Sequence, residues 1–108
     1  MVRLTVLYGQ PQDPAAFDRH YQGTHAALAQ KIPGVKGFVV NKLTSLNPQE
    51  PSPYYMIAEL YFESMAALQS ALQSPEGQAA AGDVPHFATG GAILLAGEVQ
   101  AFNPVSIS

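Results

Sequence analysis

The run Asp13-Pro14-Ala15-Ala16-Phe17-Asp18-Arg19-His20-Tyr21-Gln22-Gly23-Thr24-His25 constrains this chain more than any other stretch. Asp13 suits a helix N-cap, because its carboxylate can accept a bond from a free amide of the first turn. Pro14 fits the first helical position, where its missing N–H does no harm. Phe17, Tyr21 and His25 recur at i, i+4 and i+8, so at about 100° per residue they share one side of that helix with Leu28 and Ile32. That side faces the core and sets a titratable imidazole at the edge of a buried stripe. The helix is expected to end near Lys31 or Ile32, before Pro33-Gly34, with Lys31 complementing the helix dipole.

Hydrophobic runs and breakers order the rest of the chain. Val2 to Tyr8 reads as a strand closed by Gly9 and Pro11. Val35 to Thr44 is a second strand, and the prolines between Leu46 and Pro53 mark a loop. Tyr54 to Phe62 is a third strand, the most strongly β-patterned of all. Ser64 can cap a second helix carrying Met65, Leu68 and Leu72 on one side. Ser74-Pro75 repeats the cap-and-proline signal for a short helix ending at Gly82. Asp83 to Gly91 is expected as a loop and Ala92 to about Phe102 as the last strand.

The order β-α-β-β-α-β over a single domain of residues 1–108 implies an α+β, ferredoxin-like fold, a four-stranded antiparallel sheet with its helices on one face. Strands with apolar residues on both sides, such as Ile57-Ala58-Glu59-Leu60-Tyr61-Phe62, would not leave the other face in water. Charged residues make up only 12% of the chain against 47% hydrophobic ones, which again points to an interface. A homodimer whose sheets stack or curl into a shared barrel is the expected solution, with a pocket in each half.

Several functions are disfavoured. A net charge of −3 with five scattered basic residues offers no phosphate-tracking patch, so nucleic acid is not an expected partner. The chain has no cysteine, hence no disulfide and no thiolate chemistry, which accords with a cytoplasmic location. The N-terminal Met1 to Tyr8 is too short and too polar for a signal peptide, and no segment is long enough to span a membrane. Nucleotide-binding, zinc-protease and serine-hydrolase motifs are absent, and no metal site is expected.

His25 is the first site candidate, since an imidazole titrating near neutrality can move protons or bind a metal or haem. Its plain alternative is a histidine at the core rim bonded to a backbone carbonyl. His20 lies about 140° from His25 on an α-helix, so the two cannot share a metal as an i, i+4 pair would, and His20 is expected as a partly exposed flank residue. Asp18 is two turns from His25, too far for a dyad within this helix. Glu59 interrupts an apolar strand on the face shared with Ile57 and Tyr61 and is the second candidate, an acid or base if it lines a cavity and a solvated edge residue if not. The third is Pro85-His86-Phe87-Ala88-Thr89-Gly90-Gly91, where His86 and Phe87 are suited to a pocket lid and the glycines to a tight turn or close ligand approach. Tyr8, Tyr54, Tyr55 and Tyr61 are plausible pocket walls or ordinary strand packing.

Taken together, Val6-Leu7-Tyr8-Gly9, the Phe17-x3-Tyr21-x3-His25 helix, Pro33-Gly34, Ala58-Glu59-Leu60-Tyr61-Phe62, Asp83-Val84-Pro85 and Phe87-Ala88-Thr89-Gly90-Gly91 resemble the EthD family, named for ethyl tert-butyl ether degradation. The resemblance runs over essentially the whole chain. It implies a dimeric α/β-barrel homodimer with a pocket between the sheet and the long helix. Relatives on this fold include cofactor-independent monooxygenases, a methylmuconolactone isomerase and haem-handling enzymes. The expectation is therefore a protein serving catabolism of a small apolar organic molecule, as an oxidoreductase or isomerase. His25 would be its proton-transfer group, with Glu59, Tyr8, Tyr21, Tyr61, His86 and Phe87 around the ligand. A non-catalytic accessory to an oxygenase is the alternative. No cofactor is expected, with haem as a weaker third reading.

Overall fold

The computed structural model describes residues 1–103. Its elements are β1 (Val2–Gly9), α1 (Pro14–His20), a π-helical turn (Tyr21–His25), α2 (Ala26–Gln30), β2 (Gly37–Lys42), β3 (Tyr54–Phe62), α3 (Met65–Gln73), α4 (Pro75–Asp83), a 3-10 turn (Val84–His86) and β4 (Ala92–Glu98). The four strands form one antiparallel sheet in the order β2-β3-β1-β4.

The caps act as their residue types dictate. Ala16 N–H donates to Asp13 Oδ1 at 3.2 Å, Ala67 N–H to Ser64 Oγ at 3.1 Å and Gly77 N–H to Ser74 Oγ at 3.0 Å. Each such cap is worth about 1 kcal/mol. The last strand stops at Glu98 rather than Phe102, and the expected loop from Asp83 begins instead as the end of α4 followed by the 3-10 turn.

Alternation divides the sheet into two unlike faces. Val2, Leu4, Val6 and Tyr8 of β1 and Met56, Ala58, Leu60 and Phe62 of β3 are buried beneath the helices, with Phe17, Tyr21, Ala29, Ile32, Leu68 and Ala71 completing the core. The register pairs Thr5 with both Glu59 and Leu95, Leu7 with Ile57 and Ile93, and Val39 with Glu59, so these side chains share the opposite face, which no helix among the described residues covers. β4 is an edge strand whose Ile93, Leu94 and Leu95 are all exposed.

Gly9 and Gly90 let two backbones touch. A Cβ on Gly9 would lie 2.2 Å from the Gly90 carbonyl oxygen, and one on Gly90 would lie 2.3 Å from that of Gln10. Gly91 then turns the chain at φ +91°, accessible to glycine at little cost, and its carbonyl accepts from Gly9 N–H at 3.0 Å. The close approach at the glycine pair is thus backbone to backbone.

Candidate functional site

The long helix is not uniformly α. Phe17, Tyr21, His25 and Ala29 are all buried and recur every fourth residue. On an α-helix each such step drifts by about 40°, so the stripe would wind away from the sheet. The chain widens instead into a π turn at Tyr21–His25, with Ala26 N–H donating to the Tyr21 carbonyl five residues back. Gly23 and Thr24, both poor α-helix formers, lie within it.

The turn has a chemical result. Residues five apart stand one above the other across a π turn, so His20 and His25 converge, which the α-helical angle of the sequence reading did not allow. They meet on a carboxylate from α4. His20 Nε2 lies 2.9 Å from Asp83 Oδ1 and 3.0 Å from Oδ2, and His25 Nδ1 lies 3.0 Å from Oδ2. Asp83 stands 58 residues from His25, beyond the reach of any local sequence pattern. Its only trace was its place in the Asp83-Val84-Pro85 motif. Asp18 does other work, accepting from Lys42 Nζ at 2.6 Å and from Tyr55 Oη at 2.9 Å, contacts that seat α1 on β2 and β3.

The electrostatics of the cluster follow from its depth. Burial pushes the His25 imidazole below its ordinary value, against the opposing pull of the Asp83 carboxylate. Burial would raise Asp83, but its hydrogen bonds to His20 and His25 outweigh that and hold its carboxyl below the usual range. Near neutrality the pair is therefore a neutral imidazole and an ionised carboxylate. An ionised carboxylate only accepts, so His25 carries its proton on Nδ1 and leaves Nε2 bare. Nε2 has no hydrogen-bond partner among the described residues and is not sealed from the cavity and solvent.

His25 lines a cavity of about 50 Å³ between the sheet and the helices. Tyr8 and Tyr21 supply the other polar groups, and the walls are apolar, with Leu4, Val6, Ala58 and Leu60 from the sheet. Burial pushes both phenols well above their ordinary value, so they stay protonated as donors. Leu72 of α3 and Leu94 of β4, both exposed, form part of the rim.

The other expected site residues are divided between places. Phe87 is buried, 4.7 Å centroid to centroid from His25 and in contact with Tyr8, Phe17 and Tyr21, so it packs the back of the site rather than covering it. His86 is exposed and stacks on His20 at 6.5 Å, lining a surface cleft outside the cavity. Glu59 and Tyr61 lie on the uncovered face of the sheet, away from His25. There Glu59 binds Arg3 Nη1 at 2.8 Å. Alternation in β3 gave their shared face, but the cavity is on the other one. Among the described residues no group of three His, Asp or Glu side chains is arranged to hold a metal, and no helix is long and apolar enough to cross a membrane.

Comparison with known proteins places this architecture. Residues 9–91 match the EthD domain. An uncharacterised 11.0 kDa protein from the thcB-thcC intergenic region of Rhodococcus erythropolis is 52% identical over 95 residues, covering 88% of this chain and 91% of that protein. The crystal structure of an EthD family protein from Bacillus halodurans superposes with a TM-score of 0.86 at 39% identity, over 93% of this chain and 99% of that one. A dimeric ferredoxin-like protein of unknown function from Thermobifida fusca shares the fold alone, with a TM-score of 0.68 at 11% identity over 91% and 90% of the two chains. The chain belongs to the EthD family.

Proposed function

We propose that this EthD family protein is a homodimeric acid–base catalyst in the catabolism of a small, largely apolar organic molecule bearing a carbonyl-type oxygen. The observation that carries the reading is the 3.0 Å contact between His25 Nδ1 and Asp83 Oδ2, which leaves the opposite nitrogen of a cavity-lining ring bare. The step is a proton transfer. His25 Nε2 takes a proton from carbon, the C–H electron pair moves toward the carbonyl oxygen, and a tyrosine hydroxyl donates to the oxyanion. Asp83 steadies the imidazolium, which returns the proton to the same α-carbon, giving exchange, or, where a C=C is conjugated with the enolate, to the γ-carbon, so that the double bond shifts. Every electron stays in the substrate, so the dyad favours isomerisation over oxidation.

The cavity of about 50 Å³ has room for only a few waters, so a substrate of several carbons enters as Leu72 and Leu94 move aside. The uncovered sheet face, with Leu7, Ile57, Ile93 and Leu95, supports the homodimer.

Exchange of carbon-bound hydrogen in D2O tests the reading, with a panel of small apolar ketones and lactones followed by NMR. The folded protein is expected to accelerate exchange in at least one member, and His25→Gln to abolish it while keeping its circular dichroism. Tight binding without exchange in any member would overturn catalysis in favour of an accessory, ligand-presenting protein.

A further inference from the structure

The dyad leaves His20 unused, although His20 Nε2 engages both oxygens of the carboxylate that holds His25. Side-chain exposure falls from 29% at His20 to 11% at Asp83 and 7% at His25, a path from solvent to cavity. With Asp83 ionised, His20 carries its proton on Nε2, and a further proton has only Nδ1 to bind. Uptake there sets a positive charge against the carboxylate whose field favours an imidazolium at His25.

We propose that His20 is a positioning residue that orients Asp83 and, by sharing its carboxylate, couples the proton affinity of His25 to the pH at the surface cleft. The inference rests on the reading of His25 as the base. The groups facing the three members are few. Tyr21 packs on His25 at 5.1 Å, and Tyr8 lies behind it on β1. His86 stacks on His20 from the 3-10 turn, and Asp13 lines the same cleft. Both tyrosines stay neutral, so besides His25 itself the imidazole in contact with the carboxylate is that of His20. Protonation of His20 therefore weakens the base and slows proton abstraction in acid. The constant negative charge of Asp83 alone would not produce such a step.

Imidazole NMR titration of the whole protein decides this without any substrate. In the unmodified protein the His25 signals are expected to titrate in two steps, one coinciding with the His20 midpoint, as groups coupled by about one pK unit do. His20→Gln keeps a donor to Asp83 but removes the titration. His25 should then titrate in one step with its midpoint raised by about one unit, while His86→Gln leaves the curve in place. A single-step His25 curve in the unmodified protein, or an unmoved midpoint in His20→Gln, overturns the coupling, and the first measurement serves even if the variant misfolds. Hydrogen exchange without coupling would sink this inference alone. Coupling without exchange would sink the catalytic reading and leave the link between His20 and His25 standing.

Discussion

Each face of the sheet carries one prominent carboxylate, and the two have become different things. Glu59, on the uncovered face, meets Arg3, whose side chain is 44% exposed and whose guanidinium holds its charge at any working pH. That pair is a fixed local charge match in reach of water, of a kind worth at most about 1 kcal/mol. Asp83, at the end of α4 on the covered side, meets two imidazoles, one of them buried. Its partners are side chains that can gain or lose a charge, and the low-polarity surroundings magnify each change. The contrast teaches that a carboxylate becomes chemical machinery through the partner and depth the fold gives it. Glu59 is the more conspicuous of the two in the sequence, because it interrupts an apolar strand.

The sharpest way to break this contrast is to neutralise each carboxylate in turn. Asp83→Asn is expected to slow substrate hydrogen exchange by about 10²- to 10⁴-fold, the range of a general acid–base contribution. Glu59→Gln should change it by less than about twofold, as for a group remote from the chemistry. Equal losses would mean that the uncovered face belongs to the site. Next in size is a charge placed on that face. Leu95→Lys should convert a dimer into a folded monomer by sedimentation, since burying an unpaired charge at an interface costs several kcal/mol. A dimer unaffected by the lysine would show that the sheet face is not where copies meet.

The smallest effect is on stability against pH. The His25 pKa is lowered in the folded state, so between its ordinary value of 6.5 and the lowered folded value the unfolded chain binds more protons. Stability is accordingly full above pH 6.5 and declines as the pH falls toward the folded value. Asp83, also lowered, adds a second loss only below the ordinary carboxylate value of 3.8. Melting temperatures should show the first decline, and His25→Gln should flatten it. Arg3→Gln should leave the slope as it is.

Much of this frame was legible in the chain. Tyr54–Phe62 is the strand its alternation announced, and the three helix starts lie where Asp13, Ser64 and Ser74 place them, because caps and period-two patterns are local physics. The imidazole of His25 beside Tyr21 was legible for the same reason. Its partner was not. Asp83 reaches His25 only through the packing of α4 against the long helix, and nothing near it in sequence distinguishes it from a loop aspartate. The fate of Glu59 was half visible, since alternation fixes which residues share a face but not which face the helices cover. The π turn was written as a run of four-residue spacings, yet an α-helical angle applied to His20 and His25 concealed what it does.

That turn also leaves the helix one residue longer than its path requires. Five residues across it do the angular work of four in an α-helix, so the segments on either side keep their register with the sheet. Gly23, exposed and with open space where a side chain would sit, occupies the surplus. A one-residue deletion in mid-helix ordinarily throws everything beyond it out of register. Here, losing Gly23 would straighten the turn to ordinary pitch and leave both flanks in place. Loss of one residue at Tyr21–His25 is thus expected to leave the fold intact, and aligned relatives should carry a single-residue gap there more readily than elsewhere in the helix.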